Sequence, residues 1–317
     1  MNKVLVAQKA SDQVLEILRK VGEVVQVQEG SLASLKEKLP GATAVLAGTW
    51  MKFNAELMDV SAALKVISRT GAGVDNVDLE AATQRGILVL NTPTANTVSV
   101  AEHAVALLLA LSKQLAFLDA SVRQGDFKAR RLYLPVDVEG KTLGLIGCGN
   151  IGRLVAQKCR DAFHMRIIGF DPFLKAAPEG MTLAAAIKEV LEQSDHVSLH
   201  LPYSAETRNL IDRKELSMMK PSGFLINTSR GGIVNEAALA ETLNAGGIAG
   251  AALDVFEKEP PETGSPLLSC KNLLMTPHSA ALTRECVARV AVCAAQGIVD
   301  YLSGRRPEFV VNKAVLG

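Results

Sequence analysis

The sequence predicts an α/β protein made of two doubly wound parallel-sheet domains, and three observations predict it. Short apolar runs alternate with amphipathic stretches along the whole chain. The runs are continuously apolar rather than alternating, as in strands covered on both faces. The chain's 317 residues, 48% of them hydrophobic, exceed what one core usually holds.

The first series of strands reads KVLVA (3–7), EVVQV (23–27), AVLAG (44–48), KVISR (65–69) and GILVL (86–90). The second reads TLGLIG (142–147), RIIGF (166–170), HVSLH (196–200), GFLIN (223–227), AGAALDV (249–255) and NLLMT (272–276). Amphipathic segments such as DQVLEILRKV and NEAALAETLNAG lie between them and predict the covering helices. Residues 96–125 stay apolar for several turns without a breaker, which predicts one long buried helix capped by Asn96 or Thr97 and ended by Gly125. A further helix is expected from Thr283. The second sheet does not need it, so it is expected to return to the first domain.

Composition excludes several classes. Lys+Arg number 34 against Asp+Glu 33, so no basic surplus points to nucleic acid. The pairs Arg130-Arg131 and Arg305-Arg306 are too short for a polybasic patch. The opening MNKVLVAQKA has four apolar residues in a row before Gln8 and reads as neither a signal peptide nor a membrane span. Five cysteines with no CxxC read as reduced packing residues of a cytoplasmic protein, and no His/Cys cluster has zinc spacing.

One motif carries chemistry by itself. Gly147, Gly149 and Gly152 form GxGxxG between a strand and a helix, and Asp171 follows nineteen residues after Gly152 at the end of RIIGFD. Strand, glycines, helix and late acid together make the dinucleotide fingerprint. Gly147 allows the tight turn, Gly149 the approach of the pyrophosphate, and Gly152 the close packing of helix on strand. Near Asn150 and Ile151 the helix offers free N–H groups to phosphate. Asp171 suits ribose hydroxyls and repels a 2′-phosphate, which favours NAD over NADP. A second glycine loop, RTGAGVDNVD (69–78), lacks the third glycine and the late acid. Its backbone N–H groups at Gly71, Ala72 and Gly73 suit a small anion.

Read together, GAGVDNVDLEAATQRGILVLNTP, GKTLGLIGCGNIGR, INTSRGGIVNEAALAETL, ALDVFEKEPP and TPHSA resemble, in order, the signature blocks of the D-isomer-specific 2-hydroxyacid dehydrogenases. The resemblance spans nearly the whole chain. It implies a Rossmann coenzyme domain over 99–284, inserted in a flavodoxin-like substrate domain made of 1–98 and 285–317, with substrate in the cleft. It implies that Arg230 binds the substrate carboxylate and polarises the 2-oxo group, as a planar guanidinium fork suits. His278 becomes the acid/base and Glu259 its partner, since a reduced ketone needs a proton and a carboxylate orients an imidazole. Glu259 shares its loop with Glu257 and Glu262, either of which is an alternative partner.

Cofactor contacts implied by the resemblance are His200, Leu201, Pro202, Thr228, Ser229, Ala280 and Asp254, the last reaching the nicotinamide carboxamide. Ala280 stands where the family usually has glycine, leaving the backbone N–H available. Thr49, in the loop after the third strand, joins Gly71, Ala72, Gly73 and Arg230 as a substrate contact. His103, inside the long helix, reads as a packed histidine.

Phosphoglycerate dehydrogenases carry an arginine in that loop, where this chain reads AGTWMKFN with Gly48 and Trp50; Arg69 and Lys52 are the possible substitutes. The expected substrate is therefore a small 2-oxo acid of the hydroxypyruvate or glyoxylate kind, with phosphohydroxypyruvate close behind. With the sequence closing at Gly317, serine feedback through a further domain is not expected. The apolar helix suggests a homodimer through the coenzyme domain. In the segment KARRLYLP, Arg131 or Tyr133 is expected to tune substrate choice from the neighbouring subunit. The alternative on the same scaffold is an NADH-sensing corepressor-like binding protein.

Overall fold

Residues 1–28, 30–131 and 134–316 are described by a computed structural model, so Tyr133 lies outside the described residues. The chain divides into two units, Met1–Asn96 with Leu282–Gly317, and Thr97–Ala281. The divisions fall two and three residues before the boundaries expected from the sequence.

The first unit holds β1 (Asn2–Ala7), β2 (Gly22–Gln26), β3 (Ala44–Ala47), β4 (Val66–Arg69) and β5 (Leu88–Leu90). They form one parallel sheet in the order β2-β1-β3-β4-β5. Side chains alternate between its two faces. Leu5, Ala7, Val45 and Ile67 pack with Leu35 and Phe53 on one side. Val4, Val6, Leu46 and Val66 pack with Leu18, Ala294 and Ile298 on the other. The last two belong to the helix Arg284–Leu302, which returns to this unit and receives a hydrogen bond from Ser68 Oγ at the Ala294 carbonyl (2.8 Å). Its start is capped by Thr283, whose side chain accepts from the Cys286 N–H.

The second unit holds β6 (Thr142–Ile146), β7 (Arg166–Phe170), β8 (Thr182–Leu183), β9 (His196–Leu199), β10 (Phe224–Asn227), β11 (Gly250–Leu253) and β12 (Leu273–Met275). The sheet is parallel throughout, in the order β12-β11-β10-β9-β6-β7-β8. The strand order reverses between β6 and β9, and ligands of such sheets bind outside the carboxyl ends at that point. β8, a two-residue strand, has no signal in the sequence.

The single long helix expected over 96–125 is not formed. Helices Thr97–Ser112 and Leu115–Arg123 stand 59° apart. Ser112 ends the first: its hydroxyl bonds back to the Leu108 carbonyl (2.8 Å) and its own carbonyl accepts from the Val136 N–H (2.9 Å). The chain then turns through Gln114 in the left-handed region (φ 51°). The expected caps also differ. The buried oxygens Asn96 Oδ1 and Thr97 Oγ1 have no partner among the described residues. Gly125, at φ 79°, closes the second helix. Among the described residues no single helix is long and apolar enough to cross a membrane.

Candidate active site

Gly147 leaves β6 at φ 93°, a conformation that suits glycine, and a Cβ there would overlap the His200 carbonyl. Gly152 sits in the first turn of the helix Asn150–Phe163, and a Cβ there would overlap the Gly147 carbonyl. Gly149 is different. It occupies the N-cap with ordinary extended torsions (φ −73°, ψ −161°), and a Cβ there would meet no heavy atom within 4 Å. Arg153 is the first residue of the helix to donate inward, to the Gly149 carbonyl (3.0 Å). The N–H groups of Asn150, Ile151 and Gly152 therefore precede the helix's own ladder, beside open space.

Asp171, at the end of β7, accepts from the Cys148 N–H through Oδ2 (2.9 Å) and from the Phe173 N–H through Oδ1 (3.0 Å). Each oxygen keeps a lone pair. Cys148 lies between them and the core, and burial, with the Asp171 charge, pushes its thiol up to about 11. Across the crevice, His200, Leu201 and Pro202 follow β9. The His200 ring packs against Gly152, bonds to Ser198 Oγ (3.0 Å), and desolvation lowers it to about 4, so it is neutral at pH 7. Thr228, buried after β10, has an Oγ1 with no partner among the described residues. An orphaned buried hydroxyl and the open space beside Gly149 are features a dinucleotide would fill.

Arg230 follows at the carboxyl end of β10. The buried Asn227 shapes its turn, accepting from Ser229 N (3.0 Å) and Ser229 Oγ (2.7 Å) and donating to the Arg230 carbonyl (2.9 Å). Arg230 Nη1 donates to the Ser229 carbonyl (2.7 Å). A Cβ at Gly231 would overlap the Phe256 carbonyl, so this turn lies against the loop after β11. There the Phe256 N–H donates to Glu259 Oε1 (3.2 Å), and Glu259 Oε2 meets His278 Nδ1 at 2.8 Å. Three neighbouring strands, β10, β11 and β12, thus bring Arg230, Glu259 and His278 to adjoining loops. Glu257 accepts from the Glu236 N–H (3.2 Å) and Glu262 pairs with Lys258 (2.6 Å), so of the three loop acids Glu259 is the one on the imidazole. A carboxylate only accepts, which puts the proton on Nδ1 and leaves Nε2 for exchange.

Asp254 follows directly on β11. It is fully buried, and its oxygens accept from Thr276 Oγ1 (2.6 Å), Ser279 N (2.8 Å) and Ala280 N (2.9 Å). Both oxygens are held by its own chain. The Ala280 N–H, expected to be available, is the one that Asp254 Oδ2 takes. Beside them His103 Nε2 lies 3.0 Å from Thr276 Oγ1. Neither Asn227 nor His103 was visible as a site residue in the sequence. Asn227 reads there as a strand end and His103 as core.

In the first unit, the Gly71 N–H donates to Thr92 Oγ1 (2.9 Å), and Asn91 Nδ2 holds the Ala72 carbonyl (2.7 Å). Gly71, Ala72 and Gly73 are half-buried, and the Arg69 guanidinium folds over this loop, donating to the Thr70 carbonyl. Thr49 is exposed, and the neighbouring Trp50 indole donates to the Ala7 carbonyl (2.8 Å).

The family model described as D-isomer specific 2-hydroxyacid dehydrogenase, NAD binding domain, matches residues 105–280. The chain belongs to this dehydrogenase family. Residues 105–280 fall within the second unit, which is the family's NAD-binding domain. The chain is 41% identical over 314 residues to the D-3-phosphoglycerate dehydrogenase of Archaeoglobus fulgidus, covering 98% of this chain and 59% of that protein. It is 38% identical over 315 residues to the enzyme of that name from Methanocaldococcus jannaschii, covering 98% and 60%. The chain thus spans about three fifths of the length of these curated relatives. Among solved structures, a Thermus thermophilus protein superposes with a TM-score of 0.89 at 37% identity, covering 98% of this chain and 99% of that one. An NADPH-dependent glyoxylate/hydroxypyruvate reductase of Sinorhizobium meliloti does so with a TM-score of 0.88 at 30% identity, covering 99% of each.

Proposed function

We propose that this dehydrogenase interconverts a small 2-oxo acid and its D-2-hydroxy acid, with NAD(H) as cosubstrate. The observation that carries the reading is the convergence of Arg230 with the 2.8 Å Glu259–His278 pair on the NAD-binding domain. The crevice between β6 and β9 holds the cofactor: Gly149 and the N–H groups of 150–152 take the pyrophosphate, Asp171 the adenosine ribose, and Thr228 and Ser229 the inner half. When bound there, NADH supplies the hydride.

The chain's own groups do the rest. The Arg230 fork grips the carboxylate and the adjoining 2-oxo oxygen, withdrawing electron density from C2. As that oxygen gains charge, His278 Nε2 gives it a proton. Glu259 holds Nδ1–H, fixes the ring and stabilises the imidazolium. In the oxidative direction Nε2 takes the proton back. In the first unit, the Ala72 and Gly73 N–H groups suit a small anion such as a carboxylate, whereas the Gly71 N–H is taken by Thr92 Oγ1.

The substrates favoured are hydroxypyruvate and glyoxylate, because the loop after β3 offers Gly48 and Trp50 where a phosphate would need an arginine. Phosphohydroxypyruvate is the second reading. It is favoured by the names of the curated relatives and by Arg69, which lies over the Gly71 loop. Leu115 and Val122, 55% and 58% exposed on one short helix, favour a homodimer, and the unpaired, mostly buried cysteines suit a cytoplasmic location. The test is NADH consumption with glyoxylate, hydroxypyruvate and phosphohydroxypyruvate. Turnover of at least one supports the reading. Tight NADH binding without turnover of any would favour the corepressor-like alternative.

A further inference from the structure

We propose that His103 is a positioning residue for His278, a role that rests on the catalytic reading above. The Thr276 hydroxyl has one proton. At 2.6 Å from Asp254 Oδ1 it must give that proton to the carboxylate, which only accepts. His103 Nε2, 3.0 Å from the same hydroxyl oxygen, is therefore the donor in their bond, and the ring carries its proton on Nε2. That nitrogen also faces Asp254 Oδ1 at 3.5 Å.

The node does more than satisfy a histidine. Asp254 is fully buried, and a buried carboxylate is costly unless donors surround it. Its donors are Thr276 on one side of the catalytic residue and Ser279 and Ala280 on the other. Between them His278 sits at φ 50°, a left-handed conformation unfavourable for a non-glycine residue. The grip on both flanks holds that turn and sets the imidazole on Glu259. His103 completes the donor set by fixing the Thr276 hydroxyl. It does so from the helix Thr97–Ser112, so the helix at the start of the NAD-binding domain braces the loop at its end.

The test compares His103→Leu, His103→Gln and His278→Ala with the unmodified chain. Glutamine can present an N–H near the Nε2 position and leucine cannot. With hydroxypyruvate, or phosphohydroxypyruvate where that is turned over faster, His103→Leu should lose about tenfold or more in kcat. Its KM and NADH affinity should stay within about threefold of the original. His103→Gln should recover kcat to within about threefold. Independently of turnover, exchange of the Ser279 and Ala280 amide hydrogens should quicken about tenfold or more in His103→Leu and much less in His103→Gln. Unchanged kcat and exchange in His103→Leu would overturn the proposal. Equal losses of kcat and melting temperature in both His103 variants would overturn it too, leaving a packing role. If His278→Ala kept full activity, the catalytic reading would fail, and the amide exchange would still judge the brace.

Discussion

Replacing Gly149 by aspartate should push stability and cofactor affinity in opposite directions. Gly149 is the N-cap of a fourteen-residue helix, its torsions suit any residue, and a Cβ there meets nothing within 4 Å. Aspartate is a better N-cap than glycine by a few tenths of a kcal/mol, and its charge complements the helix N-terminus by about 0.3–1 kcal/mol. The melting temperature should therefore hold or rise by a few degrees. The same carboxylate lies where the pyrophosphate approaches. Two unit charges about 4 Å apart near a protein surface repel by about 4 kcal/mol, so NADH affinity should fall by roughly a hundredfold or more. Gly152→Ala makes the contrast. Its Cβ would overlap the Gly147 carbonyl, so the protein without ligand should lose about 1–3 kcal/mol. Thermal unfolding without cofactor and fluorescence titration with NADH measure both effects. Wild-type NADH affinity in Gly149→Asp would refute the assigned phosphate position, and a melting temperature many degrees lower would refute the open N-cap.

Other outcomes follow from single side chains. NADH should bind at least about tenfold tighter than NADPH, or ~1.4 kcal/mol, and Asp171→Ala should narrow the gap. Equal affinities in the unmodified protein would show that Asp171 does not select. Arg230→Lys keeps the charge and loses the planar fork, so kcat/KM should fall steeply while NADH binding barely changes; a lysine variant within about twofold of wild type would remove the bidentate role. Burial lowers His196 from 6.5 to about 4. The unfolded chain then binds the extra proton first, so stability is full above pH 6.5 and is lost as pH falls toward 4, by on the order of 3 kcal/mol from this one ring. In His196→Phe the acid slope of the melting temperature should be shallower, and an unchanged slope would exclude this origin.

The strands and the dinucleotide turn were legible in the sequence because each rests on local signals. Eleven of the twelve strands are marked by apolar runs, and Gly147, Gly149, Gly152 and Asp171 lie in one strand–turn–helix–strand unit. What escaped depends on partners far along the chain. The break after Ser112 is made by the Val136 N–H and by His196, whose Nε2 lies 2.7 Å from the Ser112 hydroxyl. No helical period registers either. Choosing Glu259 over Glu257 and Glu262 rested on a resemblance, and the physical reason appears only when Glu236 and Lys258 occupy the other two. Asp254 was visible as a site residue, but its work of holding residues 276–280 needs the fold to bring those residues together.

The central claim is that a hydride passes to C2 of a 2-oxo acid held by Arg230 and protonated by His278. It is tested most directly by single-turnover reaction of hydroxypyruvate, glyoxylate or phosphohydroxypyruvate with NADH deuterated on both C4 positions, followed by chiral analysis of the product. The expected result is a 2-hydroxy acid carrying deuterium on C2, in the D configuration for the three-carbon acids, with His278→Ala and Arg230→Lys forming it far more slowly. Absence of deuterium from C2, or equal rates in the two variants and the unmodified protein, would contradict it.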